Sequence, residues 1–200
     1  MKNKIVKHCI VIFIITVQCF LYNASAMNCI WQDQDNKLSI RSLGAMNEKV
    51  FKNLQLCYEC EFASITQTPM TCDAEYDQNE LASHWSKNRD LLVFYVNAIP
   101  AGFSVVNYGS MIQEKPEVHD IGEFYITPIF RKKGYGKTFA RAVFLYYSGS
   151  WEVRQLLELE TTARNFWHSV IASLKHGNFQ EFIDHPGWRG YVQCFTCIAQ

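Results

Sequence analysis

Neither sign of charge dominates this 200-residue chain, in which 19 Lys+Arg stand against 19 Asp+Glu. A protein that grips nucleic acid nonspecifically does so through a positive surplus, so that class of partner is excluded. All charges before residue 27 are lysines, which leaves the remainder slightly acidic, with 16 basic and 19 acidic residues. Any anion this protein holds must be held locally. Ten glycines and five prolines are too few for a collagenous or low-complexity chain. No Pro/Gly/Ser linker and no internal repeat divides the sequence. The six histidines form no HExxH, and no G-x-S-x-G is present. What the chain does have is apolar mass. It is 48% hydrophobic and 14% aromatic, enough for one domain around one core.

The longest apolar run, Cys9 to Tyr22, is 14 residues, short of the roughly 20 that span a bilayer core. It follows Lys2, Lys4 and Lys7 and precedes Ala24-Ser25-Ala26, the charged, apolar and small-residue segments of an export signal. Residues 1–26 are therefore read as a signal peptide and set apart from a domain over residues 36–198. The alternatives are an uncleaved anchor, or a true start at Met27 and a cytoplasmic protein. Six cysteines follow residue 26: Cys29, Cys57, Cys60, Cys72, Cys194 and Cys197. They are open to three readings: buried thiols, disulfides of the exported protein, or a zinc site from the two CxxC pairs.

Hydrophobic periodicity orders the rest. Lys37 to Leu43 reads as a strand. Asn47 caps a helix whose face carries Val50, Leu54, Cys57 and Tyr58. Leu91–Val96 and Gly102–Tyr108 are buried strands about a turn at 97–100, and Glu123–Thr127 is a strand ended by Pro128. Lys137–Tyr147 is helical, Trp151–Leu157 a strand, and Ala163 to Leu174 an amphipathic helix. Phe179–Ile183 and Tyr191–Ile198 close the chain as strands. The order is that of an α/β protein with a mixed sheet of about seven strands flanked by helices.

One stretch carries chemistry. Arg131-Lys132-Lys133-Gly134-Tyr135-Gly136-Lys137-Thr138 lies between a strand and a helix. A helix N-terminus carries unpaired N–H groups and about half a positive charge. Cations gathered there oppose the helix dipole unless an anion joins them, and glycines let backbone approach a ligand closely. Gly136-Lys137-Thr138 matches the end of a P-loop, but the first glycine of that motif would fall at Arg131. The P-loop fails on spacing.

The spacing Arg131-x-x-Gly134-x-Gly136 resembles the [RQ]-x-x-G-x-[GA] motif of the GNAT superfamily of N-acetyltransferases. Ile99-Pro100-Ala101-Gly102-Phe103 resembles that family's hairpin between its second and third strands. Glu160 to Trp167 resembles its N-x-x-A-x-x-[LF]-Y segment. The resemblance implies a split sheet that binds acetyl-CoA in its cleft. The pyrophosphate would lie on the N–H groups from Arg131 through Lys132, Lys133, Gly134, Tyr135 and Gly136 to Lys137. The pantetheine arm would pair with the backbone of Tyr125 and Ile126. It implies acetyl transfer to a primary amine, on a small molecule or on a peptide or protein lysine, with no metal. Two positions depart from the family: Glu160 replaces its Asn, and Trp167 its Tyr. An indole N–H is no acid at neutral pH, which leaves Glu123 as the expected proton acceptor, ahead of Tyr125, His168 and Tyr191. The competing expectation is an exported binding protein that uses the fold without catalysis.

Overall fold

The computed structural model describes residues 29–43, 48–76, 89–110, 112, 115–157 and 160–198. Residues 1–26, read above as a signal peptide, lie outside these residues, as do Met27 and Asn47. In chain order the strands are β1 (Cys29–Gln32), β2 (Leu38–Ser42), β3 (Arg89–Val96), β4 (Ile99–Tyr108), β5 (His119–Ile126), β6 (Gly149–Gln155), β7 (His176–His185) and β8 (Trp188–Cys197). The α-helices are α1 (Glu48–Thr66), α2 (Tyr135–Tyr146) and α3 (Asn165–Ile171), the last entered through a π-helical turn at Glu160–Arg164. The eight strands form one sheet in the order β1-β2-β3-β4-β5-β6-β8-β7. Every neighbouring pair is antiparallel except β5 with β6.

That pair opens the site. β5 and β6 are in register only from His119↔Trp151 to Ile121↔Val153, while β5 runs on to Ile126 and β6 to Gln155. The divergence begins at a bulge. Val105 faces Glu123 and Val106 faces Ile121, so Gly122 is an extra residue in β5, and an extra residue bends and twists its strand. A Cβ at Gly122 would stand 2.6 Å from Asn107 Nδ2. That amide donates to Asp120 Oδ2 at 2.8 Å, so the position admits only glycine without disturbing a buried polar contact.

Two cores hold the sheet. On one face Phe51 and Leu54 of α1 pack on Phe103, Val105 and Tyr125. On the other, α2 and α3 cover Phe94, Trp151 and Phe195. There Phe94 stacks on Phe139 at 4.7 Å and Phe144 meets Trp151 edge-on at 4.7 Å. Beside the α1 layer the sheet buries charge. Asp120 is fully buried and takes both arms of Arg154, at 2.9 and 2.8 Å, and buried Glu152 accepts from the Ser110 hydroxyl.

The structure changes some sequence expectations. β1 was not foreseen: it is only four residues long and half-buried, with no alternation to mark it. The buried face of α1 is Phe51, Leu54 and Gln55, with Tyr58 packed beside it, whereas Cys57 is exposed. The β3–β4 turn is tighter than expected. Asn97 and Ala98 both take positive φ, as a two-residue hairpin requires. All six cysteines after residue 26 are free thiols, and no metal-binding group of His, Cys, Asp or Glu occurs among the described residues. Cys194 and Cys197 are buried in β8 while Cys57 and Cys60 lie exposed on α1. The two CxxC pairs therefore build neither a disulfide nor a zinc site here.

Candidate active site

The anion cradle forms at the start of α2. Its N-cap is Gly134, with φ of 83° and no side-chain capping bond. A Ser, Thr, Asp or Asn at that position would fold its own oxygen onto the first N–H groups. Here the first intrahelical donor is the Thr138 N–H, to the Gly134 carbonyl at 3.1 Å, so Tyr135, Gly136 and Lys137 present their N–H groups outward. A Cβ at Gly134 would meet nothing within 4 Å. The glycine is required by its left-handed backbone, and it leaves the approach to the helix end open. A cavity of about 440 Å³ lies there, lined by Ile126, Arg131, Lys132, Gly134, Gly136 and Lys137 together with Phe124, Phe166 and Ser169.

Most of the residues expected to bind an anion thus share one cavity. Lys133 and Tyr135 do not line it. The Lys133 ammonium lies 6.0 Å from the Phe130 ring centre, and the Tyr135 ring is edge-on to the same Phe130. Lys137 Nζ reaches Ser169 Oγ at 3.1 Å, tying the cradle to α3. Arg131 serves a different end from its lysine neighbours. Its Nε donates to the Ile126 carbonyl at 2.6 Å, and Nη2 pairs with Glu61 Oε2 of α1 at 2.7 Å. Its guanidinium also lies 5.3 Å from the centre of the Tyr125 ring. Arg131 therefore braces the loop against β5 and α1, and its own N–H donates to the Pro128 carbonyl at 3.2 Å, so the expected run of cradle N–H groups begins after it, at Lys132.

Beyond Ile121, β5 offers an open edge toward β6. The Thr127 N–H donates to the Ala101 carbonyl of β4 at 2.9 Å. Backbone groups alternate sides along a strand, so those of Tyr125 also face β4, and those of Phe124 and Ile126 face the opening. The backbone that an extended arm would meet is thus Phe124 and Ile126. Of the expected pair, the backbone of Ile126 faces the opening and that of Tyr125 faces β4.

A second cavity of about 780 Å³ lies across the opening, between α1, the exposed edge of β5, the π-turn and the β7–β8 hairpin. Phe124, Ile126, Arg131 and Phe166 line both cavities. Glu123 lines the second one, and the Tyr58 hydroxyl of α1 donates to its Oε2. The Tyr125 hydroxyl donates to Glu61 Oε1 at 2.7 Å. Burial, then that bond, push the Tyr125 phenol above its usual range, so it remains a donor and is no base at neutral pH. His168 and Tyr191 line neither cavity. His168 Nε2 meets Glu181 Oε2 at 2.8 Å, and the Tyr191 ring lies 4.4 Å beneath the Arg164 guanidinium. Trp167 is buried against Phe124, Phe144 and Phe166, and also forms part of the cavity wall.

Sequence reasoning missed Tyr58, Glu61, Arg154 and Trp188, all of which line the second cavity. The signal for the first two was present. Tyr58 and Glu61 stand three apart on one helix, which puts them on one face.

No family model matches the chain, and no curated protein matches it. Solved structures do. PH1933 from Pyrococcus horikoshii OT3 is 17% identical, with a TM-score of 0.58 over 82% of this chain and 100% of that one. RimL, a ribosomal L7/L12 alpha-N-protein acetyltransferase in complex with coenzyme A, is 13% identical, with a TM-score of 0.54 over 86% and 98%. Spermidine N-acetyltransferase from Vibrio cholerae, in complex with CoA and spermine, is 13% identical, with a TM-score of 0.52 over 80% and 95%. The chain has the GNAT N-acetyltransferase fold.

Proposed function

We propose that this protein is an acetyl-CoA-dependent N-acetyltransferase that acylates a primary amine. One observation carries the reading: an uncapped helix N-terminus lined by Arg131, Lys132 and Lys137 shares walls with a groove that holds Glu123. The cradle fits a pyrophosphate chemically. Its N–H groups and cations have no capping side chain between them and the cavity, and dipole and charge favour the same ligand. Acetyl-CoA supplies the activated thioester. The chain's own residues do the rest. Backbone N–H groups from Lys132 to Lys137 hold the phosphates, and Ile126 and Phe124 line the path of the arm. Glu123, fixed by Tyr58, takes the proton from the acceptor's ammonium, directly or through a water, and so frees the amine that attacks the thioester.

Titration of the purified protein with acetyl-CoA, followed by release of free thiol on adding an amine, tests the reading. Absence of acetyl-CoA binding overturns it. Binding without thiol release for any amine supports the second reading, a binding protein on the same fold. One observation favours that reading: buried Trp167 offers no acid to a departing thiolate. We further propose that residues 1–26 direct export and are removed. The intact mass of the protein recovered from cells should begin at Met27, with a longer precursor detectable. A full-length product, or a Met27 start with no precursor, refutes this.

A further inference from the structure

Four charged side chains line the acceptor groove among the described residues: Glu61, Glu123, Arg131 and Arg154. Two are acidic and two basic, and their bonds are made within the protein. Glu61 is bound by Arg131 and by the Tyr125 hydroxyl, and Glu123 accepts from Tyr58. Arg154 is held on both oxygens of buried Asp120, with its guanidinium 4.5 Å from the centre of the Trp188 ring. The rest of the wall is mostly aromatic and aliphatic, with rings from Tyr58 and Phe62 on α1 to Trp167 and Trp188 on the far side. With Glu123 serving the first amine, a second ammonium on the acceptor would find among these residues only the Glu61 carboxylate, already bridged to Arg131 and Tyr125, and would approach two fixed guanidiniums. Like charges at such range cost more as water is displaced.

We infer that the acceptor is a small primary monoamine on an aromatic or aliphatic body, and that polyamines and aminoglycoside-like polycations are excluded. The inference rests on the transferase reading and names its substrate class. A neutral, aromatic groove of about 780 Å³ is within the range for a small organic ligand. It also favours the uncharged form of the amine, which is the nucleophile. The step balances simply. The amine nitrogen bonds to the acetyl carbon, the carbon–sulfur bond breaks, the amine proton passes to Glu123 or water, and the thiolate leaves as CoA.

The test compares 2-phenylethylamine, spermidine and a short lysine peptide as acceptors for the full protein, read as thiol release. In parallel, each amine is titrated against the CoA-bound protein by tryptophan fluorescence, since Trp167 and Trp188 line the groove. The expected result is a kcat/KM for 2-phenylethylamine at least about tenfold above the others, tenfold being 1.4 kcal/mol, with the same order in binding. Equal or better use or binding of spermidine or of the peptide overturns the inference. Where no amine is acetylated, the fluorescence ranking decides alone. Failure to bind acetyl-CoA at all, seen in a separate titration, instead refutes the transferase reading. A variant guards the result. Ile65 lines the groove from the last turn of α1 and is 37% exposed, so Ile65→Glu adds a carboxylate without opening the core. It should improve spermidine relative to 2-phenylethylamine by about fivefold, as one exposed ion pair allows. An unchanged ratio counts against charge as the discriminator.

Discussion

Replacing Gly136 by Asp separates the anion cradle from every other part of the molecule. A Cβ at Gly136 would stand 3.4 Å from Phe166 Cε2 and 3.5 Å from Ile126 Cγ1, contacts that need little or no movement. Gly136 is the second residue of α2, where a carboxylate favours the helix dipole by about 0.3–1 kcal/mol. Loss of a helical glycine adds roughly 0.5–1 kcal/mol in the same direction. The variant without ligand should therefore melt at or slightly above the parent temperature. With ligand the order reverses. Acetyl-CoA at a hundred times its Kd stabilises the parent by about 2.7 kcal/mol, which at this chain length raises Tm by roughly 5–11 °C. In the variant a carboxylate shares the cradle with the pyrophosphate. One pair of like charges at about 4 Å costs on the order of 4 kcal/mol at an effective dielectric of about 20. Even half of that weakens binding about thirtyfold and leaves a shift of no more than about 3 °C. Differential scanning fluorimetry of both proteins, with and without acetyl-CoA, makes the comparison. Equal shifts in parent and variant refute the cradle. A variant that melts far below the parent without ligand refutes the packing argument.

Three further outcomes follow from the same geometry. Glu123→Gln should bind acetyl-CoA as the parent does and turn over about 10²–10⁴-fold more slowly, the deficit shrinking at high pH as the amine loses its own proton; undiminished turnover near neutrality removes Glu123 from the chemistry. Asp120→Ala leaves the Arg154 guanidinium without its buried partner and should cost about 3–5 kcal/mol in urea unfolding, so a loss below about 1 kcal/mol would mean that Arg154 finds another anion. Hydrogen bonds from Arg164 above all, and from Gln193 and His168, hold the Glu181 carboxyl down from 4.5 to about 2. A depressed carboxyl stabilises the fold above its unfolded value and stops doing so as pH falls through the folded one. Circular dichroism between pH 4.5 and 2 should thus show the parent losing stability, and Glu181→Gln losing markedly less over the same window.

The fold was legible where apolar periodicity was strong. The runs from Leu91 to Val96 and from Gly102 to Tyr108 announce two central strands, and both lie in the middle of the sheet. The glycine turn into α2 was legible because Arg131, Gly134 and Gly136 lie within six residues and their conformational demands are local. The groove was not. Its walls come from α1, β5, β6 and the β7–β8 hairpin, so Tyr58 meets Glu123 across 65 residues and Arg154 meets Asp120 across 34. Such pairs are set by strand order and by where two strands part, which no short window contains. The side on which a backbone group points was also hidden. Tyr125 and Ile126 are neighbours in sequence, yet the pleat turns them toward opposite edges.

The single parallel pair has a consequence for how this protein can vary. Strands β1 to β5 form one antiparallel meander, and β6, β8 and β7 form a second antiparallel set in which β8 lies between the other two. Only His119–Ile121 and Trp151–Val153 are stitched in register between them. The cradle loop belongs to the first body and to the helix that leaves it, whereas Arg154, Gln155 and Trp188 of the groove wall belong to the second. Changes at Trp188, by the β7–β8 tip, can therefore remodel one side of the groove while the loop of Arg131–Lys137 stays as it is. Under the proposed function, that part of the acceptor wall is free to change without touching the donor cradle.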